Sequence, residues 1–160
     1  MLTIRQVLGN KQKLHNILMT NHFHLFLRPT KSEDLSRGMR WLMTTHVSRY
    51  HRHYKTSGHV WQGRYKSFIV QEDDHLLNVA RYIEGNPVRA AMAASATGWR
   101  WSSHKERTGA SNRKILAEFP IVLPTNWTAY IDVELTINEI ERLRRSVNRQ
   151  SRYHFLRRRW

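Results

Sequence analysis

Two short segments near the start of the chain have the pattern of β-strands. They are His15–Thr20 and His22–Leu27, and a turn near Asn21 separates them. In the second segment successive side chains alternate between two faces, so that His22 and His24 project from the same face. The spacing predicts a pair of strands joined by a short turn.

A long helix is predicted after these strands. Ser32 is a residue type that caps helices, and apolar or aromatic side chains recur at helical spacing up to about Lys55. Thr56-Ser57-Gly58 then breaks the helix. Beyond this break, Val60–Trp61 and Tyr65–Val70 are predicted to be short strands.

Two further helices are predicted in the second half of the chain. Asp73 or Asp74 caps the first of them, and Asn86-Pro87 closes it, because the residue before a proline disfavours the helical conformation. Thr136 and Glu139 form a capping box that begins the last helix. Strands and helices joined by short connections predict an α+β fold with an antiparallel sheet.

Composition limits the function classes. The 160 residues include 40% hydrophobic residues, enough for one buried core, and no cysteine. The absence of cysteine excludes disulfides, thiolate zinc sites and cysteine nucleophiles. No apolar run approaches the length of a membrane span, and the first residues lack a signal-peptide pattern. We therefore expect a cytoplasmic protein without a membrane partner.

Charge points to a polyanionic partner. The chain has 27 Lys and Arg against 12 Asp and Glu, a formal net charge of +15, and before Glu72 its acids are Glu33 and Asp34. Six Trp, six Tyr and five Phe offer rings that can stack on unpaired bases. A solvated basic face with core aromatics is the alternative, but such a face normally mixes both signs of charge. The residues expected to contact DNA are Arg40, Arg49, Arg52, Gln62, Arg64, Lys66, Arg89, Arg144, Arg145 and Arg149.

Four residues form a candidate reaction centre. His22 and His24 can bind one metal ion from the same strand face, and Tyr82 and Asn86, four residues apart on a helix, face the same neighbour. Two imidazoles and an amide oxygen would leave the full charge of Mg²⁺ or Mn²⁺ to polarise a phosphodiester. The hydroxyl of Tyr82 would then be the nucleophile. Taken separately, the histidines are also ordinary polar strand residues, Tyr82 a rim aromatic and Asn86 a helix cap.

At these residues the sequence resembles a known family. Met19–Phe26 (MTNHFHLF) is similar to the histidine strand of HUH single-tyrosine transposases. The blocks Trp61–Ser67 (WQGRYKS) and Tyr82–Ala90 (YIEGNPVRA) resemble the REP-associated tyrosine transposase branch of the IS200-like transposases. Trp101–Ser103 and Leu143–Arg149 also fit that branch, so the resemblance extends over roughly residues 15–149.

The resemblance implies roles for the four residues. His22, His24 and Asn86 would bind a divalent metal, Mg²⁺ or Mn²⁺, and Tyr82 would attack the DNA backbone to form a 5′-phosphotyrosine intermediate. The implied activity is that of a metal-dependent single-strand endonuclease and strand transferase. The implied substrate is single-stranded DNA with a hairpin and a short flanking recognition sequence. The implied fold is a ferredoxin-like or RRM-like antiparallel sheet flanked by helices.

The beginning of the chain departs from this family. Met1–Leu14 does not resemble the usual opening strand, so we expect a sheet that lacks its first strand and leaves a neighbouring strand exposed. A truncated, catalytically inactive protein that still binds hairpin nucleic acid is therefore the alternative. A zinc hydrolase using His22 and His24 would need a third histidine or a carboxylate nearby. The sequence leaves both a monomer and a homodimer open.

The same interpretation divides the chain into three parts. Residues 1–108 would form the HUH transposase catalytic domain, and 109–133, where periodicity is poor, would be a linker loop. Residues 134–160 would form a basic C-terminal helix and tail.

Overall fold

The structure, a computed structural model, describes residues 12–70, 74–143 and 145. Its contacts divide the chain into two compact units. Of the described residues, the first unit contains 12 and 28–66, and the second contains 13–27 and those from 67 onward. Within the described residues there is a two-stranded antiparallel sheet together with several helices, which confirms the predicted α+β class.

The predicted strand pair is a β-hairpin. Strand β1 spans Gln12–Leu18 and β2 spans Phe23–Arg28, so both predicted strands are confirmed to within a few residues. The turn is closed by a hydrogen bond of 2.9 Å from the amide of Met19 to the carbonyl of His22. Phe26, which shares its strand face with the two histidines by period-2 alternation, is buried in the core.

The edge of β1 opposite β2 is also paired. The amide of Leu18 donates to the carbonyl of Trp101, and the amide of Ser103 donates to the carbonyl of Asn16, both at 2.9 Å. These bonds flank an antiparallel bridge between Ile17 and residue 102. The expectation of an exposed neighbouring strand therefore does not hold for β1, because a later segment of the chain pairs with its second edge, but within the described residues β2 has no second strand partner.

The first unit contains the long helix α1, Ser32–Tyr54, close to its predicted bounds. Lys31, and not Ser32, is its N-cap, and no side chain caps it. Glu33 and Asp34 lie in the first turn, where negative charge favours the helix dipole. Lys55 takes the left-handed conformation at φ 54° and ends the helix.

The short strands predicted at Val60–Trp61 and Tyr65–Val70 are wrong. The structure has bends and irregular backbone there. Within the described residues the sheet consists of β1 and β2. Aromatic and β-branched residues favour strands only where a neighbouring strand can accept their backbone hydrogen bonds.

Helix α2 spans Asp74–Glu84, and a short helix α3 follows at Asn86–Arg89. Asn86-Pro87 was expected to end α2, but it begins α3, because a proline is tolerated in a first helical turn. The break falls at Gly85. A Cβ there would lie 3.0 Å from the Arg81 carbonyl oxygen and 3.0 Å from Nη1 of Arg89, so this close approach favours glycine.

The rest of the second unit consists of short elements. A 3₁₀ turn covers Ala96–Gly98, α4 covers His104–Arg107, α5 covers Trp127–Asp132, and residues 137–143 are helical. The predicted capping box is confirmed, because Thr136 Oγ1 accepts from the Glu139 amide and the Glu139 carboxylate accepts from the Thr136 amide.

The core of the second unit draws on both halves of the chain. Leu76, Ala80 and Ile83, which the helical spacing in the sequence predicts to form the apolar stripe of α2, are buried there together with side chains of the hairpin and of the segment 109–133. The buried cluster is formed by Leu14, Ile17, Phe26, Leu76, Ala80, Ile83, Ala96, Phe119, Trp127 and Ile131. The boundaries at 108 and 133 stay a prediction, but the segment between them contributes Phe119, Trp127 and Ile131 to the core. None of the helices in the described part of the chain is both long and apolar enough to cross a membrane.

Candidate active site

The side chains of His22, in the hairpin turn, and His24, on β2, lie next to Asn86, the first residue of α3. Nε2 of His22 lies 3.2 Å and Nε2 of His24 lies 3.0 Å from Nδ2 of Asn86. The two imidazole rings are 5.1 Å apart between centroids and stand nearly perpendicular to each other. The hairpin and the α2–α3 segment therefore bring the two histidines to an asparagine that lies more than sixty residues later in the sequence.

Asn21 fixes the proton position on His22. Its Oδ1 lies 2.7 Å from Nδ1 of His22, and a carbonyl oxygen only accepts hydrogen bonds. Nδ1 therefore carries the proton, which leaves the lone pair of Nε2 directed towards Asn86. Metal-binding histidines are commonly oriented by such a partner on the second ring nitrogen.

His24 is neutral over a wide pH range. Burial, with smaller effects from the charges of His22 and Arg89, lowers the pKa of His24 to about 4. A neutral imidazole keeps a lone pair, which is the form that binds a metal.

Tyr82 lies one turn before Asn86 and faces the same cluster. Its ring centroid is 6.4 Å from that of His24, in an edge-on arrangement. The guanidinium of Arg89 lies 4.3 Å above the tyrosine ring, and Arg89 also donates to the carbonyl oxygen of Tyr82. Burial lowers the pKa of Arg89, and the Tyr82 phenol opposes this shift through charge and a hydrogen bond. A positive charge is thus held beside the phenol.

The distances between the side-chain atoms of His22, His24 and Asn86 fit the coordination shell of a small divalent cation. Neighbouring ligands of an octahedral cation with bonds of about 2.1 Å are about 3 Å apart, which is the separation observed around Asn86. A half-turn of the Asn86 carboxamide brings its oxygen to the place of Nδ2. Among the described residues no group of three or more His, Cys, Asp or Glu side chains could hold a metal ion. A site here therefore depends on the amide as its third ligand.

A second histidine cluster is buried around Glu84. Both oxygens of the Glu84 carboxylate are used: one accepts from Nδ1 of His15, and the other from Nδ1 of His104 at 2.8 Å and Nε1 of Trp127 at 2.9 Å. Burial by itself raises the pKa of Glu84. The charge of His15 and the hydrogen bonds from His104 and His15 outweigh burial and lower this pKa to about 2.

The predicted DNA-contacting residues fall into three groups. Arg89 is half-buried against Tyr82, and exposed Arg145 lies 3.6 Å from Glu141 in an ion pair. Arg144 and Arg149 lie outside the described residues. The remaining six are exposed side chains of the first unit, namely Arg40, Arg49, Arg52, Gln62, Arg64 and Lys66.

Two features of this region were missed from the sequence. Asn21 was treated as a turn residue, although its position next to His22 was a signal that it could orient the ring. Glu84 follows Leu76 and Ala80 at the same helical spacing, so a carboxylate occupies the apolar stripe of α2. A buried carboxylate needs hydrogen-bonding partners, and this was the available signal for a cluster.

Comparison with known proteins supports a class of enzyme. Residues 9–86, just under half of the chain, match the family model described as Transposase IS200 like. The match supports a DNA-processing enzyme of the transposase type, and it includes the hairpin, α1, α2 and Asn86, the first residue of α3. A search of curated proteins and a search of solved structures each found no significant match.

Proposed function

We propose that the chain is an IS200-like transposase of the REP-associated tyrosine branch, which cuts and rejoins single-stranded DNA beside a hairpin. The observation that carries the proposal is the convergence of His22 and His24 on Asn86, one helical turn from Tyr82. The family match over residues 9–86 and the net charge of +15 give further support.

The proposed reaction is a transesterification at phosphorus. The Tyr82 hydroxyl attacks a backbone phosphate, its oxygen bonds to phosphorus, and the bond from phosphorus to the 3′-oxygen breaks. The phenol loses its proton and the departing 3′-oxygen gains one, which leaves a free 3′-hydroxyl and a 5′-phosphotyrosine. Attack by another 3′-hydroxyl reverses these steps and joins a new strand.

The chain's own residues prepare this step. His22, His24 and Asn86 would hold Mg²⁺ or Mn²⁺, and the cation when bound would polarise the phosphate. The hydrogen bond to Asn21 keeps the proton of His22 on Nδ1, so that its Nε2 can donate a lone pair to a metal ion. The low pKa of His24 keeps its ring neutral. Arg89 holds the Tyr82 ring and supplies positive charge above the phenol that loses its proton.

The test is trapping of the covalent intermediate. Wild-type protein, Mg²⁺ or Mn²⁺ and a labelled hairpin oligonucleotide with single-stranded flanks should give an adduct that survives SDS. Tyr82→Phe should abolish the adduct and keep DNA binding, because the hydroxyl alone is removed. Tyr130→Phe is the matched control: Tyr130 stacks on Trp127, and its variant should form the adduct normally.

A binding protein without catalytic activity is the competing function. Wild-type protein that binds the hairpin but forms no adduct with either metal, across a set of flanking sequences, would support it and overturn the transposase proposal. An adduct that persists in Tyr82→Phe would instead identify another nucleophile.

A further inference from the structure

Helix α1 carries a row of aromatic rings at its C-terminal end. His46, Tyr50 and Tyr54 follow one another at four-residue spacing, and Trp61 packs beside the first of them. The ring centroids are 6.2 Å apart for His46 and Tyr50, 4.6 Å for Tyr50 and Tyr54, and 4.8 Å for His46 and Trp61. We name these four residues the α1 aromatic row.

The aromatic row continues the apolar stripe of α1 but is not covered as a core would be. Met39, earlier on the stripe, is 4% exposed, whereas Tyr50 is 39% and Tyr54 is 59% exposed. Aromatic side chains contribute large apolar area, and leaving it in water is unfavourable unless a partner uses it.

The surroundings of the row are strongly basic. Between Leu35 and Gln71 the sequence has seven Lys or Arg residues and no carboxylate. Arg49 and His53 lie about 100° and 60° around the helix from Tyr50, on the same side of the row. Arg49 is exposed, and its guanidinium can reach a phosphate while a base meets the neighbouring rings.

We propose that the α1 aromatic row is a base-stacking site for unpaired nucleotides of single-stranded DNA. The rings would stack on bases without regard to sequence, while Arg49, Arg52 and their basic neighbours follow the phosphates. This inference rests on the proposed function for the choice of DNA. It adds a binding site in the first unit to the candidate active site in the second.

The experiment compares two labelled strands of equal length and charge, an oligothymidylate of about 20 nucleotides and an abasic strand without bases. The full-length double variant Tyr50→Leu/Tyr54→Leu keeps apolar side chains but removes the rings. It should bind oligothymidylate roughly 10- to 100-fold more weakly than wild type and the abasic strand equally well. Tyr50→Phe/Tyr54→Phe keeps the rings and should bind both strands as wild type does.

A basic-residue variant separates stacking from charge. Arg49→Gln/Arg52→Gln should weaken binding of both strands by the same factor and lower the salt dependence, because it removes phosphate contacts. The proposal is overturned if the leucine variant binds oligothymidylate normally, or loses affinity equally for both strands. It is also overturned if sedimentation shows that the wild type is a dimer and the leucine variant a monomer. The aromatic row would then be covered by a second copy of the chain.

Failure of the proposed function can be distinguished from failure of the stacking site. Absence of the Tyr82 adduct together with ring-dependent DNA binding would remove the transposase activity and keep the stacking site. An adduct in the leucine variant at saturating DNA, together with weakened binding, supports both proposals.

Discussion

The second unit contains two histidine clusters with opposite characters. In the buried cluster, His15 and His104 direct Nδ1 to the Glu84 carboxylate, and all three side chains have no exposed area. In the open cluster, His22 and His24 direct Nε2 to the neutral Asn86 amide, and His22 is exposed. The third member of each cluster comes from the α2–α3 segment, with Gly85 between the two.

The difference shows how the same residue type becomes structural or reactive. A carboxylate that accepts from both imidazoles consumes their donors and ties the end of α2 to β1, α4 and α5. The neutral Asn86 amide donates from Nδ2 to both Nε2 atoms, and a half-turn of this amide would free the two imidazole lone pairs for a cation. We therefore expect changes in the buried cluster to alter stability, and changes in the open cluster to alter chemistry.

The largest expected effect is on chemistry. His22→Ala/His24→Ala should reduce formation of the covalent DNA adduct by at least ~1000-fold, equivalent to about 4 kcal/mol, because both imidazole ligands are lost. The melting temperature should change little. His59→Ala, which removes an exposed histidine of the first unit, is the control. A double variant that retains the adduct would show that the open cluster has no part in the reaction.

The second expected effect is on stability. Glu84→Gln should lower the melting temperature by about 10 °C, because replacing a buried carboxylate that accepts several hydrogen bonds costs about 3 kcal/mol. The folded-state pKa of Glu84, about 2, lies below the ordinary 4.5. Its stabilising contribution is therefore complete above pH 4.5 and is lost as the pH falls from 4.5 towards 2.

Thermal unfolding followed by circular dichroism at pH 7 and pH 3 measures this contribution. The difference between wild type and Glu84→Gln should be smaller at pH 3 than at pH 7. Glu118→Gln, at an exposed carboxylate, is the control and should melt as wild type does. Equal melting of Glu84→Gln and wild type at pH 7 would contradict a structural role for the buried cluster.

A smaller effect is expected from the residue that orients His22. Asn21→Ala should weaken binding of Mn²⁺ roughly 10- to 100-fold, because the Nδ1 proton loses its acceptor and the ring is no longer held. Calorimetric titration with Mn²⁺ measures the affinity, and Asn112→Ala, at an exposed site, is the control. Unchanged affinity in Asn21→Ala would remove Asn21 from the site.

The smallest effect is expected at the rim of the buried cluster. Thr128→Val removes the hydroxyl that lies 3.0 Å from Nε2 of His104. Losing one such hydrogen bond costs about 1 kcal/mol, so the melting temperature should fall by roughly 2–4 °C. Adduct formation at 25 °C should stay at the wild-type level. A loss of adduct without a change in melting temperature would show that the two clusters are not separate in function.

Local patterns in the sequence predicted the parts of the fold that depend on local physics. The hairpin, α1, the stripe of α2 and the Thr136–Glu139 capping box follow from alternation, helical spacing and end chemistry. The strands predicted at 60–61 and 65–70 were wrong, because pairing depends on a distant partner. The predicted end of α2 was within two residues of the observed one, but the short helix α3 was missed, because a proline can lie in the first turn of a new helix.

For the candidate site too, local spacing could be predicted from the sequence and long-range contacts could not. His22, His24, Tyr82 and Asn86 could be selected because each pair has a defined spacing within one element that the sequence predicts. Glu84, His15 and His104 could not be paired, because their contacts span between 20 and 69 residues of sequence. The roles of the four selected residues stay predictions that the adduct experiment tests.

The second edge of β1 has a consequence for how the protein behaves in concentrated solution. A strand whose amides and carbonyls point into solvent is a template on which a neighbouring molecule can add its own strand. Here residues 101–103 already occupy those groups along 16–18, so intermolecular strand addition at that margin would first have to displace part of the chain's own backbone. This self-pairing protects a short, two-stranded sheet from growth into fibrillar aggregates on that side.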